Sequence, residues 1–170
     1  MDWQQQLQII GEVALAIVLG GLIGLERELA DKPAGFRTHM LIAGAAALLT
    51  GIGGTLLLFF QPGGDPSFPR ADPLRIIEAI VTGVSFIGAG TIIRGRDSQQ
   101  VEGLTTAASM LFSASLGICV ALNLFWLAAG VTGLTLIVLR GEGWVDRYRA
   151  RKGGSGSGET VRGTSANRNQ

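Results

Sequence analysis

From Met40 to Phe60 the chain runs without one charged side chain. A helix needs about 20 predominantly apolar residues to cross a hydrocarbon core of roughly 30 Å, and this run meets that length. A buried helix of a soluble bundle is the competing reading, but a helix at a soluble surface keeps a polar face, and Met40–Phe60 has none. Three further apolar runs share this character. Leu7–Leu25 is interrupted only by Gln8 and Glu12, Leu74–Ile93 carries Arg75 and Glu78 near its start, and Leu104–Leu139 carries no charge. The last run would span about 54 Å as one helix at 1.5 Å per residue, too long for a single crossing. A break near Asn123 divides it.

The expected architecture is therefore all-α: a polytopic membrane bundle of five transmembrane helices near 7–25, 39–60, 74–93, 104–121 and 124–139. The last is short, and it either continues through Gly141 toward Trp144 or thins the bilayer locally. These helices make residues 1–141 a membrane domain. A basic juxtamembrane segment follows at 142–152. A Gly/Ser/Thr/Asn-rich tail at 153–170 has the composition of a flexible, disordered end. The N-terminus has neither a basic leader nor a small-residue cleavage site, so the first helix is expected to stay. Apolar residues make up 47% of the chain and charged ones 16%, the reverse of a disordered composition. One cysteine excludes an internal disulfide framework and a cysteine-built zinc site. A net charge of +1 gives no case for nucleic-acid binding.

Basic residues close to helix ends collect on the cytoplasmic side. With five crossings, Arg27, Lys32, Arg37, Arg94, Arg96, Arg140, Arg147, Arg149, Arg151 and Lys152 share one side, and Arg70 and Arg75 share the other. A fourfold crossing would move the tail and remove that bias. The charge rule thus favours an N-terminus outside and a C-terminus in the cytoplasm, with Trp3 and Trp144 at opposite interfaces. The basic 140–152 stretch suits the inner headgroup region, where each basic residue near the surface contributes about 1 kcal/mol of attraction to anionic lipid.

Small residues recur every four positions: Ala16, Gly20 and Gly24; Ala43, Ala47 and Gly51; Thr105, Ser109, Ser113, Gly117 and Ala121. Such stripes let helix backbones approach closely, either within one chain or across a homo-oligomer. Gly88-Ala89-Gly90 lacks the preceding strand of a dinucleotide fingerprint, so it reads as packing or a kink.

Intramembrane acids are functional candidates by default. Glu12 and Glu78 enter at similar depth from the outer side, where they could share a proton or a magnesium ion, which prefers oxygen ligands. Solvation at the interface, or pairing of Glu78 with Arg75, is the alternative. At the inner side four helix ends converge: Glu26-Arg27-Glu28, Arg37-Thr38-His39, Arg94, and Gly103 with Thr105 and Thr106. An ion pair between Glu26 and Arg37 is expected there, and the threonine hydroxyls either cap the fourth helix or bond across helices. The cluster serves as a structural network or as a site for a phosphate, a headgroup or a partner protein. His39, the one histidine, makes a poor transition-metal site; it is expected as a helix-end residue at the interface, with a response to cytoplasmic pH as the alternative, and Cys119 as inert packing. No nucleophilic or paired-acid catalytic grouping appears, so the chain reads as a non-enzyme.

Four strings occur in order: GGLIGLERE (20–28), AGFRTHMLIAGAAAL (34–48), DPLRIIEAIVTGVSFIGAGTIIR (72–94) and VEGLTTAAS (101–109). Together they resemble the MgtC/SapB family over roughly residues 20–140. The resemblance implies a multi-pass bacterial inner-membrane protein of about five helices, linked to growth under magnesium limitation and, in some pathogens, to survival inside host cells. Members have been described as magnesium transporters, but the better-supported view is a regulatory membrane protein with ATP synthase as a proposed target in some members, so a non-enzymatic regulator is expected here, with a small magnesium or proton transporter or channel as the alternative. Carried over by motif, the positions of interest are Glu26, Arg27, Arg37, Thr38, Asp72, Glu78, Gly88, Gly90, Arg94, Gly103, Thr105 and Thr106. Gly24, Gly88, Gly90 and Gly103 are expected to be structural, and Glu12, Asp72 and Glu78 to offer a cation or proton site. No cofactor is called for beyond Mg²⁺. Many members carry asparagine at the position of Thr105, and long members carry a folded cytoplasmic C-terminal domain that the short polar tail cannot supply.

Overall fold

The computed structural model describes residues 2–60, 72–94 and 101–153. Five helices follow one another: α1 (Trp3–Leu29), α2 (Phe36–Phe60), α3 (Leu74–Thr91), α4 (Leu104–Ala121) and α5 (Phe125–Gly153). The first four are long and apolar enough to cross a membrane, whereas the apolar part of α5, Phe125–Gly141, is shorter. That helix does not stop at 139. It continues through the basic 142–152 stretch to Gly153, because nothing in that stretch breaks a helix. Arg70, Gly95, Arg96 and the tail from 154 lie outside the described residues.

The helix ends are set by local chemistry. Asp2 and Gln5 form a reciprocal capping box at the start of α1. The turn after α1 places Asp31 at φ 53, and Glu28 reaches across it to accept the Phe36 amide at 2.8 Å, satisfying a donor that the first turn of α2 leaves open. Asn123 sits at φ 60, and the Leu124 amide donates to the Cys119 carbonyl at 2.9 Å. This closure of a helix by a left-handed asparagine separates α4 from α5 where the length argument requires a break.

One segment departs from an all-helical chain. The third helix ends at Thr91 rather than at 93, and Ile93–Arg94 pairs antiparallel with Val101–Glu102. Ile92 is already extended (φ −85°, ψ 109°), so the amides beyond it need a partner outside the helix and find it in this two-residue ladder. Gly103 then turns the chain into α4 at φ +90. A Cβ there would also run into the Thr91 carbonyl, so glycine is required twice over.

The core is built on the small-residue faces of α1, α2 and α4. A Cβ on Gly20 would stand 2.6 Å from the Ala43 Cβ and 2.7 Å from the His39 carbonyl. One on Gly117 would meet the Ala43 carbonyl, and the Ala47 amide at 3.0 Å. The three stripes thus mesh with one another within one chain. Helix α5 closes one side through Ala128 and Leu139. Helix α3 packs Ile80 and Val84 against Met110, Ala114 and Ile118 of α4. The outside is the reverse of a soluble surface: Trp126 is 93% exposed and Phe86 82%, while Arg27 and His39 are buried. Large apolar side chains facing outward around a polar interior are what a lipid environment demands of a membrane protein.

Candidate functional site

The last turn of α1, the first turn of α2 and the first turns of α4 enclose a buried polar cluster. Arg27 closes α1 and is 1% exposed. Its Nε donates to Glu26 Oε2 at 2.6 Å and its Nη2 to Glu26 Oε1 at 2.9 Å. This two-pronged pairing is the geometry for which the planar guanidinium is suited. Nη2 also donates to the Leu139 carbonyl at 3.3 Å, tying the end of α1 to α5. The cation lies at a helix C-terminus, where the dipole favours it. Glu26, at 15% exposure, keeps one edge open.

His39 lies beside this pair and is wholly buried. The approach of α1 and α2 puts it there: a Cβ on Gly24 would fall 2.8 Å from Phe36 Cα and 2.9 Å from His39 Cβ. Nδ1 is 2.9 Å from the Gly35 carbonyl, and Nε2 is 2.9 Å from Ser109 Oγ. A carbonyl only accepts, so Nδ1 carries a proton. Ser109 Oγ is also 2.8 Å from the Thr106 carbonyl. The hydroxyl has one hydrogen to give. With a neutral ring it donates to Nε2, and with a protonated ring it turns to Thr106 and accepts from Nε2. The arrangement therefore accommodates two protonation states of His39 by a hydroxyl rotation linking α2 to α4.

Glu26, Arg27 and Thr106, all expected at the inner face, gather here. Thr106 is 1% exposed. Arg37 and Thr38 stand on the first turn of α2, Arg37 exposed and Thr38 half-buried. The partner of Glu26 is Arg27 rather than the expected Arg37, because neighbouring residues at a helix end bring these two heads together without crossing a loop. Thr105 is half-buried in the first turn of α4. The N-cap of that helix is Gly103, with no side-chain bond, so the threonines do not cap from that position. The Arg94 backbone pairs with Val101 in the short ladder.

In the sequence His39 reads as an interface residue, with a pH response as the alternative, and Ser109 as a packing residue; their contact is not legible there. The available signal was their position. His39 continues the Ala43–Ala47 face by one turn, and Ser109 lies on the Ser113–Gly117 face, so both sit where the helices touch.

At the opposite end, Glu12 is 7% exposed and accepts from Gln8 Nε2 at 2.9 Å. It lines a hollow of about 480 Å³ together with Gln5, Thr50, Thr55 and Asn123. Asp72 and Glu78, expected to share a cation with it, do not line that hollow. Asp72 Oδ1 accepts the Leu74 amide at 2.9 Å and so starts α3. Glu78 is exposed on α3, a helix that packs on α4 and α2. Among the described residues no three of His, Cys, Asp and Glu gather as a metal site. Gly88 is buried against Ala107, whose Cβ lies 3.3 Å from where its own would be, but Gly90 faces open space and serves no close contact among the described residues.

Between the two polar ends lies a mainly apolar layer. Ala16, Ala43, Ala47, Leu116 and Val120 are all fully buried. Ser113 Oγ is buried at this level without a hydrogen-bond partner among the described residues.

The chain matches the model of the MgtC family over residues 13–148. Protein SapB of Bacillus subtilis is 34% identical over 86% of this chain and 62% of its own length. YhiD of Escherichia coli K12, whose given name proposes a magnesium transporter, is 36% identical over 78% of this chain and 59% of its own. Protein MgtC of Brucella abortus is 35% identical over 81% of this chain and 52% of its own. The chain thus spans about half to three fifths of the length of these relatives. No solved structure matches it.

Proposed function

Because this chain belongs to the MgtC family, we propose that it is a multi-pass protein of the bacterial inner membrane that regulates another membrane machine under magnesium limitation or acid stress. In this reading α5 is the fifth crossing, the N-terminus is outside, and the Arg27–His39 cluster faces the cytoplasm. The ten-to-two distribution of basic residues supports that orientation.

The observation that favours regulation over transport is this mainly apolar layer. A path for a hydrated cation needs polar groups or water along its length, since unpaired charge in an apolar interior is costly. Ala16, Ala43, Ala47, Leu116 and Val120 supply neither. The inner cluster instead presents Arg37 and part of Glu26 at the surface, above a buried network that couples α1, α2, α4 and α5. A partner bound there contacts the element that joins these helices.

The test is twofold. Purified protein in vesicles loaded with a magnesium-sensitive dye is expected to show no uptake above empty vesicles. In cells that depend on this protein for low-magnesium growth, Arg37→Ala is expected to insert normally and to fail to support growth. Growth at the unaltered level with Arg37→Ala overturns regulation through this face.

A second reading, a small transporter, draws on the Glu12 hollow and on the name of YhiD. Uptake by the intact protein that is lost in Glu12→Gln or Glu78→Ala would establish it in place of the first.

A further inference from the structure

Helices α2 and α3 meet closely where Ile76 presses on Gly53, yet along most of their length they leave a groove of about 880 Å³ open to the side of the bundle. Its volume lies within the roughly 300–1,000 Å³ typical of small-molecule sites, which are apolar with a few placed polar groups. Ile80 and Val84 form the buried floor, and Leu49 and Ile52 stand exposed along one wall. On the other wall Gly83 has nothing within 4 Å of where a Cβ would be. Every lining residue is apolar except Arg75, in the first turn of α3 at one end of the groove.

The geometry points to a phospholipid site: one acyl chain along the α2–α3 groove and its phosphate on the Arg75 guanidinium. Two features distinguish this groove from the ordinary lipid-facing surface. The first is charge complementarity. A guanidinium at the membrane edge matches a phosphate in charge and in fork geometry, and Glu78, one turn along, is not part of the lining. The second is length. From Arg75 to Ile87 the α3 wall rises about 18 Å, and on α2 the lining runs from Leu56 to Leu41, about 22 Å. A chain anchored by its headgroup at Arg75 thus finds apolar lining along its whole length.

Native mass spectrometry of the full chain tests this. The protein is purified in detergent and exchanged against mixed micelles of palmitoyl-oleoyl phosphatidylglycerol. The expected result is one retained phospholipid per chain. Arg75→Gln should lower retention about tenfold, the scale of one charge-assisted contact, and Arg75→Lys by less. Gly83→Leu, which fills the groove without touching the cation, should abolish it. Gly83 lies in open space, so this variant is expected to fold, and helical circular dichroism and a monodisperse elution profile check that it does. Retention unchanged in both Arg75→Gln and Gly83→Leu, or absent from the intact protein, overturns the proposal. So does a Gly83→Cys variant that forms a dimer by disulfide across the groove in native membranes, which would assign the groove to a second copy.

Discussion

Replacing Arg27 by methionine keeps most of the stem that packs between α1 and α5 and removes the cation. At least three hydrogen bonds disappear, two to the Glu26 carboxylate and one to the Leu139 carbonyl. The larger effect is on what remains. Glu26, only 15% exposed, loses its buried counter-charge and is left with Arg140 on the hollow that both residues line. Breaking a buried pair by removing one partner costs about 3–5 kcal/mol. The open edge of Glu26 gives water some access, which places the expected loss at the lower end, about 3 kcal/mol. Glu26→Gln in the same chain removes the stranded charge, so the double variant should recover most of that loss and leave a coupling of about 2 kcal/mol between the positions. The assay is reversible unfolding in mixed micelles of increasing dodecyl sulfate content, followed by helical circular dichroism. If Arg27→Met and the double variant are equally destabilised, the pair is not what makes Arg27 necessary, and the reasoning fails.

Two further outcomes are expected. Ser109→Ala removes the partner of His39 Nε2 and should destabilise by about 0.6 kcal/mol, at most about 1.7, the range for hydrogen bonds between membrane helices, measured by the same unfolding assay. Gly117→Leu drives a side chain into the backbone of α2 at Ala43 and Ala47. It should cost at least the 1–3 kcal/mol of ordinary overpacking, read as a shift in the unfolding midpoint or as loss of folded protein, and a midpoint within error of the parent would refute the close α2–α4 contact.

Sequence alone determined the helical composition and most of the element positions. Twenty-residue stretches without charge have one stable form in lipid, because a helix pairs its own backbone groups. The break at Asn123 followed from length, and the small-residue stripes named the faces that touch. These are properties of a segment by itself, readable from spacing. What touches what was decided only by the tertiary structure. The Gly24, Gly20 and Gly117 contacts draw α1, α2 and α4 together, and that approach turns His39 from a helix-end residue into a buried partner of Ser109. It also removes Glu78 from Glu12, since α3 packs on α4 and α2. The choice of Arg27 over Arg37 as the partner of Glu26 likewise depends on which way a helix end faces once its neighbours are in place. Hydrogen bonds and ion pairs form over about 3 Å, a scale that residue spacing along one chain does not specify until the helices are packed against each other.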